Sequence, residues 1–206
     1  MHDKETLDDL LVEMDLVDAR YFNDMAYNSK MTLLPFDRRA EYLSELFKID
    51  FGEASKDCLK YNLGGAFTFS CLSKKAIVEL NAIDRNIVKA IASCYCAGEW
   101  NKAYNLFRRV GLEKHGFVAE HTIPCAVAYN WIAKDKSRQT KESLEHLFRN
   151  DVLIQCGITN AEDFYLRQAG LNQKMPSTWN GVIDVDATFA RYKMVGISPV
   201  KLEEII

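Results

Sequence analysis

The stretch from Ile87 to Gly111 constrains the fold more than any other part of the chain. Ile87, Val88, Ile91 and Tyr95 recur at helical spacing up to Gly98, and Ala103, Leu106, Phe107 and Val110 repeat the pattern up to Gly111. Each segment is apolar along one side only. Two such helices joined by so short a link must fold back on each other as an antiparallel hairpin, because neither can bury its stripe alone.

The same reading extends along the chain. A first amphipathic helix begins at Thr6, with Leu7, Leu10, Leu11, Met14, Val17 and Tyr21 on one face and acids on the other. Asp37 is positioned to cap a second, carrying Ala40, Leu43, Leu46 and Phe47 and closed by Gly52. Glu53 to Leu63 reads as a third, with Gly64 and Gly65 as its exit. Phe67, Phe69 and Cys71 alternate as in a strand, but Ala76, Ile77 and Leu80 resume helical spacing and no partner strand is evident. Ala66 to Leu80 is therefore expected to be helical.

Pro124 stands where a first-turn proline would, opening a helix through Val127, Trp131 and Ile132, for which Ser137 to Phe148 is the expected hairpin partner. Gly157-Ile158-Thr159 with Glu162, and Gly196-Ile197-Ser198-Pro199 with Leu202, each read as a glycine ending one helix and a hydroxyl capping the next. Gln173 to Gly181 reads as a loop, and Asp184 as the start of the helix after it. The expected fold class is all-α: antiparallel helical hairpins packed as a bundle or short repeat-like array. Its expected division is a hairpin domain over 1–150 with C-terminal helices over 151–206 packed on it, or one domain throughout.

Composition bounds the function. With 206 residues, 48% apolar and 27% charged, the chain can bury a substantial core, which excludes disorder as a whole-chain reading. A net charge of -3 provides no general attraction to nucleic acid or anionic lipid. Six cysteines scattered through apolar segments read as reduced, in a cytoplasmic setting. Acids near the N-terminus do not suit a presequence, and no apolar run approaches the roughly 18 residues of a membrane helix. At Ile205-Ile206 the apolar periodicity has not ended, so that end either docks into the core or marks a fragment.

Tyrosines at 27, 61, 95 and 129 fall 34 residues apart, the interval of paired-helix repeats. Within this spacing, the segment Ile91 to Phe107 resembles a single tetratricopeptide or pentatricopeptide hairpin. Gly98 permits the turn, Ala103 lets the helices approach, and Leu106-Phe107 close the second helix. It departs from the tetratricopeptide pattern at Ile91, where glycine is expected, and at Val110, where alanine is expected. In a pentatricopeptide reading, Lys89 would stand at the base-reading position in place of the usual asparagine, threonine or serine. The resemblance covers about one-eighth of the chain and implies a helical-repeat fold that binds protein or RNA.

Chemistry-bearing patterns are sparse. Cys94 and Cys96, with His115, His121 and Cys125, form the one candidate metal cluster, yet two cysteines two apart on a helix point about 200° away from each other. They are expected to be structural, and no metal or cofactor is expected. No glycine-flanked serine nucleophile and no phosphate-binding glycine loop occurs, so no catalytic residue is assigned. Asp184-Val185-Asp186 lacks the glycine and distant glutamate of a calcium loop.

The remaining grouping is basic and aromatic: Lys89, Trp100, Lys102, Tyr104, Arg108, Arg109 and Lys114. Cations beside stacking rings suit single-stranded RNA, although last-turn arginines also suit a helix dipole. The function expected first is a non-enzymatic protein-interaction or assembly module, with a second copy of the chain among its candidate protein partners and no membrane contact. An RNA-binding helical-repeat protein is the alternative, and an enzyme whose site is assembled from distant residues is the third.

Overall fold

A computed structural model describes residues 34–48, 55–112 and 115–206. The helix expected from Thr6, Tyr27, the Gly52 stop and Lys114 lie outside these residues. The described residues divide into two compact units, one formed by those up to Phe67 with Ala128–Asn150, the other by those within Thr68–Val127 with Asp151–Ile206.

The described part of the first unit is helical. Helices α1 (Phe36–Lys48) and α2 (Ser55–Ala66) precede the crossing into the second unit. Helix α6 (Cys125–Ala133) returns the chain, followed by a 3-10 turn and α7 (Lys141–Arg149). The principal partner of α7 is α1, and not α6 as the hairpin expectation held. Leu43 and Leu46 of α1 are buried, as are Leu144 and Phe148 of α7, so each helix supplies the other with an apolar face. Gly64 and Gly65 lie inside α2 and are not its exit.

The second unit overturns the all-α expectation. It holds a four-stranded mixed sheet of β1 (Thr68–Ser73), β2 (Val118–His121), β3 (Ile154–Ile158) and β4 (Pro199–Lys201) in the order β2-β3-β1-β4. β1 and β3 run parallel, while β2 and β4 are antiparallel edge strands. The segment expected to be one helix is β1 followed by α3 (Lys74–Ile83). All six residues of β1 and all five of β3 are buried, because helices cover both faces of the sheet. The strand-like alternation of Phe67, Phe69 and Cys71 belongs to β1 and its approach, while the helical spacing of Ala76, Ile77 and Leu80 that outweighs it in the sequence belongs to the next element, α3. The partner strands of β1 lie at 154–158 and 199–201, where glycine and proline read in the sequence as helix ends.

One face of the sheet is covered by α3, α4 (Ile87–Cys96) and α5 (Trp100–Phe107), which bring Ala76, Leu80, Ile91, Ala103 and Phe107 onto Phe69 and Leu72. The α4–α5 hairpin exists, with Gly98 at φ +77° in its turn, but it packs on a sheet. The repeat-like, tetratricopeptide-like array is therefore corrected. Tyr61 is exposed on α2 while Tyr129 is buried in the first unit, so the 34-residue spacing does not mark equivalent positions. The other face receives Leu166 of α8 (Asn160–Gln168), Leu171, Tyr192 of α10 (Ala190–Val195) and Ile197 against Cys71, Ile154, Cys156 and Ile158. The short α9 (Val185–Thr188) precedes α10 and starts at Asp184, whose side chain accepts from the Asp186 and Ala187 amides.

Gly157, expected to end a helix, is the point where this sandwich closes. A Cβ there would lie 2.5 Å from Leu72 Cδ2 and 2.7 Å from Phe107 Cε2, so glycine lets Phe107 reach the sheet. Gly196 does end α10, at φ +74°. Pro199, however, opens β4 and a 3-10 turn, not the helix that an Ile197–Leu202 staple would have started.

Candidate functional site

The described residues of the basic and aromatic grouping, all but Lys114, lie on α4, α5 and the π-turn Arg108–Leu112 that ends α5. Lys89, Lys102, Arg108 and Arg109 are exposed. The Lys102 Nζ is held 2.8 Å from Glu99 Oε2, and that ion pair raises the ammonium pKa and lowers the carboxyl pKa. Tyr104 is half-buried: its ring forms a T-shaped pair with Phe69 at 5.8 Å, and burial raises its hydroxyl pKa. Trp100 is half-buried at the first position of α5. The four described cations are each exposed, but Lys102 is paired with Glu99 and the aromatic rings that would complete a nucleobase platform are partly drawn into packing.

The candidate metal ligands do not converge. Cys94 is half-buried and Cys96 exposed on α4, His115 is exposed, His121 ends β2, and Cys125 begins α6. Among the described residues no three histidine, cysteine or acidic side chains could hold one ion. Burial pushes the Cys125 thiol up to about 12, the opposite of what a metal-ligating thiolate needs.

Two polar centres in the second unit were not anticipated as such. At the C-terminal ends of the parallel strands, Ser73 caps α3 and Thr159 caps α8. Glu162 Oε2 accepts from Ser73 Oγ at 2.6 Å, Thr159 N at 2.9 Å and Thr159 Oγ1 at 3.1 Å. This is the crevice where open α/β sheets commonly hold ligands, and here the two capping hydroxyls, which accept from the Ala76 and Glu162 amides, are bridged by the chain's own carboxylate. The Thr159–Glu162 capping box was legible in the sequence; its bond to Ser73, 89 residues away, was not.

The second centre surrounds Arg191, which is fully buried. Its Nε donates to Thr122 O at 3.0 Å and its Nη2 to Glu120 Oε1 at 2.8 Å, with further bonds to the Leu171 and His121 carbonyls. One guanidinium thus ties the exit of β2 and the loop after α8 to α10. Burial raises the Glu120 carboxyl pKa, although Arg191 opposes the shift. On the opposite side of the same strand end, Gln155 Nε2 lies 3.0 Å from His121 Nε2. An isolated Arg191 sits in an ordinary helical pattern, so no sequence signal marked it.

Apolar surface remains outside. On α8, Phe164 and Tyr165 are 53% and 51% exposed, and on α10, which packs on α8, Met194 is 60% exposed. Their exposure is large for side chains of this size. In the first unit, an open groove of about 660 Å³ runs between α1 and the start of α7. Its rim charges balance: Lys141 lies 3.6 Å from Glu41, and Lys48 is paired with Glu45. Among the described residues no helix is long and apolar enough to cross a membrane. Comparison with protein families, with curated proteins and with solved structures gave no match.

Proposed function

We propose that this chain is a non-enzymatic binding and assembly module whose contact surface is the exposed face of α8 and α10. The observation that carries this reading is the pair Phe164 and Tyr165, half in solvent on a helix whose other side is pinned by the buried Glu162 and Leu166. Rigid aromatic side chains on a fixed helix contribute large contact area at little entropic cost, which is what protein contacts use. The polar centres at Glu162 and Arg191 support it in a different way. Their hydrogen bonds are directed at the fold's own backbone and caps, so they read as braces for this face and not as reacting groups. A reducing intracellular setting goes with the proposal, since the five described cysteines are unbonded.

The partner is a protein that presents apolar side chains to this face, and a second copy of the chain is tested first. Light scattering with and without nuclease, with the absorbance ratio at 260 and 280 nm, compares the chain with a Phe164→Ser, Tyr165→Ser variant. The expected result is a nucleic-acid-free, multi-protomer mass that falls in the variant. If nucleic acid co-purifies and its removal changes the mass, RNA contact through Lys89, Lys102, Arg108 and Arg109 replaces this reading. If the chain is a clean monomer, a photo-crosslinker at Tyr165 that captures no protein in its native lysate ends it.

A further inference from the structure

Cys71 and Cys156 stand directly opposite each other on the two central strands, in register across the parallel β1–β3 pair. Both lie on the sheet face covered by Leu166, Tyr192 and Ile197, and both are unbonded and fully buried. The two side chains belong to the same buried cluster, and burial, followed by the neighbouring Cys71, raises the Cys156 thiol pKa. Each is otherwise held only by a long contact to a carbonyl, Cys71 Sγ to Gln155 O at 3.7 Å and Cys156 Sγ to Gly157 O at 3.8 Å. Neighbouring strands run about 4.8 Å apart, which falls inside the Cα separations of roughly 4.4–6.8 Å that a disulfide spans. The irregularity in register between Phe69 and Cys71 adds local twist beside the pair, which helps two directly opposed residues to close.

From this juxtaposition we infer that Cys71 and Cys156 are a redox-sensitive staple, which a peroxide oxidises to a disulfide joining the two central strands. In the first step a Cys71 thiolate attacks one peroxide oxygen, the O–O bond breaks, and a sulfenic acid and one water result. The Cys156 sulfur then attacks the Cys71 sulfur, the S–O bond breaks, and hydroxide leaves with the Cys156 proton as a second water. Two electrons pass from the thiols to the peroxide, and both thiol protons end in water.

Entry is through β4. That edge strand is three residues long, begins with a proline that donates no hydrogen bond, and sets Lys201 opposite Cys71. Short edge strands open at lower free energy than the centre of a sheet. Separation of β4 from β1 draws Ile197, two residues ahead of β4, off the face on which Cys71 lies and uncovers that thiol while β1 and β3 stay paired, so the second thiol remains in place to resolve the sulfenic acid. Once formed, the bond closes a loop between two positions 85 apart in the sequence (156 − 71), which narrows the unfolded ensemble and strengthens the folded state.

The test uses the full chain with Cys94→Ser and Cys96→Ser, which removes the two α4 thiols and leaves four of the six cysteines. Folded protein is exposed to hydrogen peroxide, quenched in acid, denatured, alkylated and mapped by mass spectrometry. The expected product has lost two hydrogens, alkylates at Cys58 and Cys125 only, and yields a peptide joining Cys71 to Cys156. Its urea midpoint lies above that of the reduced protein and returns on treatment with dithiothreitol. Sub-denaturing urea accelerates the cross-link if opening of β4 is the entry step. The inference is overturned if Cys71 and Cys156 both stay alkylatable after an exposure that fully oxidises Cys94 and Cys96 of the unsubstituted chain. It is equally overturned if cross-links appear only between random pairs after complete unfolding.

Discussion

Replacing Arg191 with methionine keeps much of the side-chain volume and removes every charged donor from the centre it organises. Four acceptors lose their partner: the carbonyls of His121, Thr122 and Leu171, and Glu120 Oε1. Each buried acceptor left unpaired costs about 1–3 kcal/mol, and the Glu120 carboxylate loses its neutralising ion. Against this, the desolvation cost of burying the guanidinium, several kcal/mol, is returned. Measured losses on breaking such buried pairs set the net at about 3–5 kcal/mol.

The assay is urea unfolding at pH 7 followed by far-UV circular dichroism, with the midpoint falling and the slope unchanged. Arg191→Lys is expected to lose about half as much, since one ammonium cannot reproduce a fork that reaches four acceptors. The second arm is the double change Arg191→Met with Glu120→Leu. Because apolar replacement of both partners is close to neutral for many buried ion pairs, the double variant should recover about 1–2 kcal/mol relative to the single one. A loss below about 1 kcal/mol for Arg191→Met would refute the assignment of this side chain as the tie between β2, the post-α8 loop and α10.

Two further expectations follow from the same unit. Gly157→Ala places a Cβ 2.5 Å from Leu72 and 2.7 Å from Phe107, so those side chains must shift, and a loss of about 1–3 kcal/mol in thermal or urea unfolding is expected; an unchanged midpoint would show that Phe107 does not rest on the sheet there. Glu120 has a folded-state pKa raised by burial, so the folded chain holds that proton more tightly than the unfolded chain and stability falls as pH rises through the window above the ordinary carboxylate value. Glu120→Gln removes that slope, and a stability-against-pH curve identical to the parent's would contradict it.

The sequence by itself determined the local events: the α4–α5 hairpin with its turn at Gly98, the Thr159–Glu162 capping box, the Asp184 start and the Gly196 stop. Each is set by neighbours within about one helical turn, so the pattern that produces it is contained in the pattern that reveals it. The sheet was decided elsewhere. β1 is a strand because residues 154–158 and 199–201 offer it hydrogen-bond partners, and an alternation as short as Phe67, Phe69 and Cys71 does not reveal where those partners lie. The centres at Arg191 and Glu162 and the Cys71–Cys156 pair likewise depend on residues about 70 to 90 positions apart meeting in space. Local propensity carries no record of such meetings, because only burial of both sheet faces under helices creates the need that these side chains fill.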